Sequence, residues 1–202
     1  VLRGMFPEHG HDFVVRLDDY DAAVVKEISK DTDSKEIVNI AKTIVDTMNA
    51  EAMVKAAIGL STVAESIQEL SRAYREARIA LEVGKVFDTE KNIISYDNLG
   101  IGRLIYQLPT TLCHLFLDEV FKKGSIDILD TETIYTIQKF FENNLNVSET
   151  SRKLFVHRNT LVYRLDKIKK LTGLDLREFD DAIVFKVAMM VNKYLTTEPT
   201  RL

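Results

Sequence analysis

The chain has 202 residues, of which 46% are hydrophobic and 29% are charged, and its formal net charge at pH 7 is −4. This composition excludes a disordered chain, because enough apolar residues are present to build one large or two modest domains. A single cysteine, Cys113, excludes an internal disulfide, and no apolar run approaches the roughly 20 residues of a membrane-spanning helix. These features predict a globular protein of the reducing cytoplasm. The first residue is Val1, and we expect the chain to be part of a longer protein.

The first half of the chain mixes β-rich runs with helical periods. Two β-branched runs flank a turn rich in aspartate, a pattern typical of a hairpin. The predicted elements are strands over 13–17 and 22–28, a helix over 34–50 with Ser34 as N-cap, a strand over 53–60, a helix over 64–87 and a strand over 92–96. This order predicts an α+β fold in which the first domain, residues 1–100, is an α/β sandwich with a largely antiparallel sheet.

The second half of the chain is helical in period throughout. The segment "DNLGIG" at 97–102 holds two glycines and an asparagine and is the expected linker. Helices are predicted over 102–108, 112–123, 132–144, 147–155, 158–171 and 181–195. Residues 101–202 are therefore predicted to form an all-α domain, with Cys113 in its core.

Two of these helices form a predicted helix-turn-helix. Asn146 with Glu149 three residues later is a capping-box pattern, which opens a short helix whose inner face is Ser151, Leu154 and Phe155. A turn at 155–157 leads into a second helix, and Gly173 stands where that helix is expected to stop. Two helices of this length joined by a tight turn are the arrangement that many DNA-binding proteins place on the major groove.

The second helix has one apolar and one polar side. Its apolar side is formed by Leu161, Val162, Leu165, Ile168 and Leu171. The polar side is predicted to bind DNA through His157, Arg158, Asn159, Thr160, Tyr163, Arg164, Lys167 and Lys170. The residues of the first turn suit base edges, since Arg pairs with guanine, Asn with adenine and the Thr methyl with thymine, while the later residues would contact phosphates.

The segment 132–172 is basic although the chain as a whole is acidic. It contains eight Lys and Arg and four Asp and Glu, which favours a polyanionic partner for this part of the chain.

A second interpretation of the same helix is a solvated face in a helical bundle, because any amphipathic helix has a polar side. Arg164 lies on the flank of this side, where an ion pair with Asp166 or Glu149 is an alternative to a phosphate contact.

The run "FFENNLNVSETSRKLFVHRNTLVYRLDKIKKLTGLDL", followed by "DDAIVFKVAMMV", resembles the C-terminal helix-turn-helix domain of the PucR/CdaR family of regulators over about 132–195. The resemblance implies a sequence-specific, DNA-binding transcription regulator that acts as an oligomer, a dimer if its operator is palindromic, and responds to a small metabolite. The last helix would close the domain core through Ile183, Val184, Val187, Met190 and Val191.

Residues 11–97 resemble a GGDEF-type domain, with "AIGLS" at its central strand and "LSRAYREARIALEVGKVFDTEKNIISYD" at its last helix and strand. In the hairpin "RLDDYDA" the signature glycines are missing, so that Leu17 and Asp18 stand where the backbone of a cyclase must approach a nucleotide. The resemblance therefore implies a degenerate domain without enzymatic activity, with a structural, dimerising or ligand-relaying role.

Three other interpretations compete with the regulator. They are a nucleotide-binding or cyclase module, a protein-interaction module that has lost DNA binding, and a cation site at Asp18, Asp19 and Asp21. An exposed acidic turn accounts for those aspartates more simply. We predict no cofactor, no metal and no catalytic residue; the expected partners are double-stranded DNA, a second copy of the chain and an unidentified small-molecule effector, with no membrane.

Overall fold

In a computed structural model, residues 1–6, 11–87, 89–121, 126 and 129–197 of the chain are described. The chain folds into two compact units, Val1–Arg103 and Leu104–Leu202. The α+β class is confirmed: strands and helices alternate in the first unit, and the described part of the second is helical.

The first unit is built from short strands and two long helices. Its elements are α1 (Leu2–Met5), β1 (Phe13–Arg16), β2 (Ala22–Val25), α2 (Ser34–Ala52), β3 (Ile58–Leu60), a 3-10 turn (Ile67–Glu69), α3 (Leu70–Phe87), β4 (Ile93–Ser95) and a second 3-10 turn (Tyr96–Asn98). β1 and β2 form an antiparallel hairpin, with Phe13 opposite Val25. β3 and β4 pair in parallel, so the described strands form two separate pairs, an arrangement that the sequence pattern did not predict.

The hairpin turn is stabilised by Asp18. Its Oδ1 accepts hydrogen bonds from the backbone N–H groups of Tyr20 and Asp21, both at 2.7 Å. These bonds stabilise the charged carboxylate and hold the pKa of Asp18 below its ordinary value. Asp19 pairs with Arg16. The aspartates therefore act within the turn, as the simpler interpretation of the sequence had it.

α3 packs directly on the parallel pair. A Cβ atom on Gly59 would lie 2.1 Å from the carbonyl oxygen of Ala77, so only glycine permits the close approach of helix and strand there. The buried side of α3 carries Ala73, Ala80, Val83 and Val86.

Several boundaries in this unit differ from the prediction, and the strand predicted over 22–28 already ends at Val25. The N-cap of α2 is Asp33, whose carboxylate accepts a hydrogen bond from the Glu36 N–H at 2.8 Å, and the predicted cap Ser34 is the first helical residue. The strand predicted from residue 53 begins only at Ile58, because Met53 ends α2 with φ 53° and is 90% exposed. The helix predicted from residue 64 begins as the 3-10 turn.

The second unit is a helical bundle. α4 (Ile101–Gln107) crosses the division between the units and is followed by α5 (Thr110–Val120), α6 (Thr131–Glu142), α7 (Val147–Lys153), α8 (Arg158–Thr172) and α9 (Phe179–Thr196). Cys113 is fully buried, as predicted. The last two residues of the helix predicted over 112–123 lie outside the described residues.

The core of this unit is formed by α6, α8 and α9 together with residues of the segments that connect the helices. Its fully buried members include Ile137, Phe140, Leu161, Leu165, Ile168, Leu176 and Phe185. Phe121 meets Phe185 edge to face, with ring centroids 5.7 Å apart. The predicted inner face of α9 is confirmed only at Val191, which is buried. Ile183 is 44% exposed and Val184, Val187 and Met190 are half-buried, whereas Phe185, Ala188 and Tyr194 are buried instead. α9 is apolar on nearly every side, so its period could not select the buried face.

Candidate nucleic-acid interface

α7 is a short helix with a defined start. The Asn146 side chain accepts a hydrogen bond from the Glu149 N–H at 3.0 Å, which satisfies one of the free donors at the helix N-terminus. The Glu149 carboxylate pairs with Arg152 at 2.9 Å instead of returning to the Asn146 N–H. One half of the predicted capping box is therefore present. Thr150 and Ser151 form the buried side of this helix.

The turn between α7 and α8 is a Schellman motif with phenylalanine at the position that glycine usually occupies. The Val156 N–H donates to the Ser151 carbonyl at 3.0 Å, the Phe155 N–H donates to the Arg152 carbonyl at 3.1 Å, and Phe155 has φ 54°. The left-handed backbone directs the Phe155 side chain outward, where it is 96% exposed. The prediction that Phe155 packs inward was therefore wrong.

α8 is capped at both ends. The Nδ1 atom of His157 accepts a hydrogen bond from the Asn159 N–H at 3.2 Å, so His157 is the N-cap of the helix. At the other end Gly173 has φ 85°, and its N–H donates to the Lys169 carbonyl at 2.8 Å. The predicted stop at Gly173 is thus the observed one.

The inner side of α8 fixes which residues point outward. Leu161, Leu165 and Ile168 are 0% exposed, while Val162 and Leu171 are half-buried. Asn159, Thr160, Tyr163 and Lys170 are exposed, and their side chains make no hydrogen bond or ion pair with any described residue. These four of the predicted site residues are available to a partner molecule.

Arg158 is exposed but oriented. Its Nη1 donates to the Ser148 hydroxyl of α7 at 2.7 Å, so that the first residue of α8 is tied to the start of the preceding helix. An arginine has five N–H donors, and one bond to Ser148 leaves most of them available for another acceptor.

Arg164 and Lys167 lie beside α6. The Arg164 guanidinium donates to the Thr136 hydroxyl at 3.1 Å and pairs with the Glu132 carboxylate. The Lys167 ammonium lies 3.3 Å from the Asp130 carboxylate.

The ion-pair partners expected for Arg164 were wrong. Asp166 pairs with Arg177 and Glu149 with Arg152. Glu132 is 32 positions away in the sequence, and a local reading of α8 could not find it.

Asp130 also caps α6. Its Oδ1 accepts a hydrogen bond from the Thr133 N–H at 2.7 Å. Hydrogen bonding from Thr133 and, to a smaller extent, the Lys167 ammonium lower the pKa of Asp130 to about 2. This carboxylate is therefore charged at every pH at which the protein would meet DNA.

The connection from α8 to α9 is held by a network that the sequence did not reveal. Asp175 is buried and accepts hydrogen bonds from the Arg177 backbone N–H, from Nε of Arg177 at 2.8 Å and from the Lys169 ammonium at 3.0 Å. Arg177 also donates to Asp166 on α8 at 2.8 Å. The Arg177 guanidinium is the main reason that the pKa of Asp175 lies well below its ordinary value. The C-terminal half of α8 is thus attached to the loop that follows it.

Among the described residues, no group of three His, Cys, Asp or Glu side chains is placed to hold a metal ion.

Comparison with protein families assigns both halves of the chain. The PucR C-terminal helix-turn-helix domain family matches residues 133–191, and the GGDEF-like domain family matches residues 1–83. The chain carries a PucR-type helix-turn-helix domain behind a GGDEF-like domain. The predicted resemblance of the chain to both families is thereby confirmed.

Part of this chain is similar to curated bacterial regulators. The carbohydrate diacid regulator of Escherichia coli is 33% identical over a stretch that covers 61% of this chain and 32% of the relative. The purine catabolism regulatory protein of Bacillus subtilis is 24% identical, with 68% and 26% covered. The proline-responsive transcriptional activator PutR of Bacillus subtilis is 27% identical, with 67% and 34% covered. The matched stretch is therefore about a quarter to a third of each relative.

None of the helices in the described part of the chain combines the length and the apolar character that crossing a bilayer requires.

Proposed function

We propose that the chain is the DNA-binding part of a sequence-specific transcription regulator. The observation that carries this proposal is the outward side of α8, on which the exposed side chains of Asn159, Thr160, Tyr163 and Lys170 make no hydrogen bond or ion pair with any described residue. Helix-turn-helix proteins place the N-terminal residues of such a helix against base edges in the major groove. The family matches and the names of the relatives support the same function.

Each residue of the proposed site has a role that its position suggests. Arg158, Asn159 and Thr160 occupy the first turn of α8 and would contact base edges. His157 caps the helix and would lie near the phosphates that approach its N-terminus. The later residues would contact phosphates, and these are Tyr163, Arg164, Lys167 and Lys170.

The GGDEF-like domain is proposed to lack catalytic activity. Leu17 and Asp18 occupy the hairpin turn, and the Asp18 carboxylate is engaged by the backbone of that turn. A degenerate domain of this kind would mediate dimerisation or relay the binding of a ligand. GTP turnover by the purified chain would contradict the proposal.

The complete regulator is proposed to act as a homodimer in the bacterial cytoplasm under the control of a small metabolite. A dimer would place two recognition helices on half-sites about one turn of DNA apart. The names of the relatives refer to carbohydrate diacids, to purine catabolism and to proline, which supports control by a small molecule.

The proposed function is tested by selecting duplexes that bind the 202-residue chain from a random-sequence library. A selected motif is expected, and its affinity should fall steeply with salt, because Lys and Arg contacts to phosphate release counterions. Enrichment of no motif, together with a salt-independent affinity, would leave the protein-interaction interpretation as the better one.

A matched pair of variants locates the face. Lys170→Gln on α8 should reduce the salt slope by about one. Lys193→Gln on α9 makes the same charge change on another helix and should leave the slope unchanged. Equal effects of the two variants would contradict the assignment of α8.

A further inference from the structure

The proposed DNA-facing side of α8 is bordered by two carboxylates of another helix. Asp130 caps α6 and Glu132 lies in its first turn, and they pair with Lys167 and Arg164 respectively. We name Asp130 and Glu132 the α6 carboxylates. Both remain open to solvent, with side chains 57% and 70% exposed.

Two of the four cations assigned to DNA are neutralised by these pairs. Arg158 bonds to the uncharged hydroxyl of Ser148, and Lys170 has no charged partner among the described residues. Arg164 and Lys167 each face a carboxylate instead. A surface selected only for attraction to DNA would not place acids beside its phosphate-contacting cations, since they repel phosphate.

The two pairs differ in rigidity. The Arg164 side chain is 26% exposed and bonds to Glu132 and to the fully buried Thr136, so its guanidinium has a fixed orientation. Three of its five N–H donors remain available for a phosphate oxygen. The Lys167 side chain is 47% exposed and its pair with Asp130 is a single 3.3 Å contact, which water and salt weaken readily.

We propose that the α6 carboxylates determine specificity by lowering the affinity of the α8 face for DNA of arbitrary sequence while Glu132 holds Arg164 in position for one phosphate of the correct site. This inference rests on the proposed function of α8.

In a complex with arbitrary DNA the attraction comes almost entirely from cations and phosphates, so neutralised cations and nearby acids reduce it directly. In a complex with the correct sequence, the base contacts of the first turn of α8 add to the attraction. A pre-oriented arginine also loses less freedom on binding there.

The test uses the full chain with Glu132→Gln, which keeps an oxygen acceptor for Arg164 and removes the charge. Its affinity for a random-sequence 24-base-pair duplex should rise about five- to tenfold near 0.1 M salt, and the salt slope should steepen by up to about one, because one more counterion is released. Affinity for a duplex selected by the wild-type chain should rise less, so that the ratio of the two affinities falls. Asp130→Asn keeps an N-cap acceptor for α6 and should raise the affinity for the random duplex in the same direction.

The matched control is Glu142→Gln at the other end of α6. Glu142 is an exposed carboxylate that pairs with Lys139, so the control makes the same change in net charge on the same helix. It should change the affinity for the random duplex less than twofold.

The outcomes separate this inference from the proposed function. If the wild-type chain binds neither duplex, the proposed function fails. If the wild-type chain binds both but Glu132→Gln matches Glu142→Gln, or raises both affinities equally, the α6 carboxylates do not determine specificity and the inference is overturned.

Discussion

The two units distribute their apolar residues in different ways. In the first unit the buried residues lie mainly along one side of α3, and the hairpin leaves Phe13 and Val15 61% and 48% exposed. In the second unit the buried side chains of α6, α8 and α9 meet in one cluster, in which Phe140, Leu165 and Phe185 are 0% exposed. α8 is therefore part of a cluster of buried side chains, whereas the two strands of the hairpin contain no buried residue.

This difference indicates which contacts determine the orientation of the proposed DNA-binding side of α8. Since the inner side of α8 is buried within its own unit, the direction of its outward side is fixed by the contacts of that unit. A change in the core of the second unit should be transmitted to the DNA face, and a change on the hairpin should not.

The largest expected effect comes from Leu165→Ala. Removing a fully buried side chain from the core should lower the free energy of unfolding of the second unit by about 2–5 kcal/mol. Val15→Ala on the exposed hairpin should cost less than about 1 kcal/mol. Urea denaturation, combined with hydrogen exchange of the α8 amides, measures both. A hairpin cost as large as the core cost would contradict the comparison.

The next effect concerns the loop after α8 and its dependence on pH. The pKa of Asp175 is lowered in the folded chain, so its charge stabilises the fold above the ordinary aspartate pKa of about 4, and this contribution is lost as the pH falls further. Asp175→Asn should cost about 1–3 kcal/mol at pH 7 and flatten the acid limb of the stability profile. Thermal unfolding from pH 7 to pH 3 tests this. Parallel profiles for the two proteins would show that Asp175 is not the group that titrates.

Arg158→Ala tests whether sequence recognition belongs to the second unit. If Arg158 contacts a base, the variant should lose about 1–3 kcal/mol of binding to the selected duplex and some of its preference over a scrambled duplex. Arg16→Ala on the exposed hairpin removes the same charge from the first unit and should bind as the wild type does. Fluorescence anisotropy at fixed salt is sufficient, and equal losses would place the interface elsewhere.

The smallest change in stability is expected from substituting two residues that have a left-handed backbone, one in each unit. Met53 ends α2 with φ 53° and Phe155 ends α7 with φ 54°, and both side chains are at least 90% exposed. Glycine takes this conformation without a steric penalty, so Met53→Gly and Phe155→Gly should each raise the free energy of unfolding by about 0.5–1 kcal/mol. Chemical denaturation measures both. A loss of stability in Phe155→Gly would show that its side chain makes a stabilising contact.

Local chemistry made the helix-turn-helix predictable from the sequence. Asn146 and Gly173 act on backbone groups a few residues away, so their types announce the start of α7 and the end of α8. The apolar period of α8 was equally informative, because its opposite side is strongly polar. Leu161, Leu165 and Ile168 are buried as expected.

The sequence was less informative about features that depend on residues distant along the chain. Most of the buried side of α9 was predicted wrongly, because apolar residues lie on nearly every side of this helix. The strand expected from Met53 was shortened because the helix before it continues to Ala52. The partners of Arg164 and Lys167 lie on α6, about thirty or more positions earlier, and a charge pattern within one helix carries no information about such contacts.

The attachments of α8 limit how a signal could reach DNA. His157 caps its first turn, three leucine and isoleucine side chains are enclosed beneath it, and Arg177 links it to the loop beyond its end. Because α8 is held at its start, along its inner side and at its end, bending of this helix by an effector would require breaking these contacts. In the dimer proposed above, we therefore expect an effector to alter the spacing or the orientation of the two α8 helices on DNA and to leave the conformation of each helix unchanged.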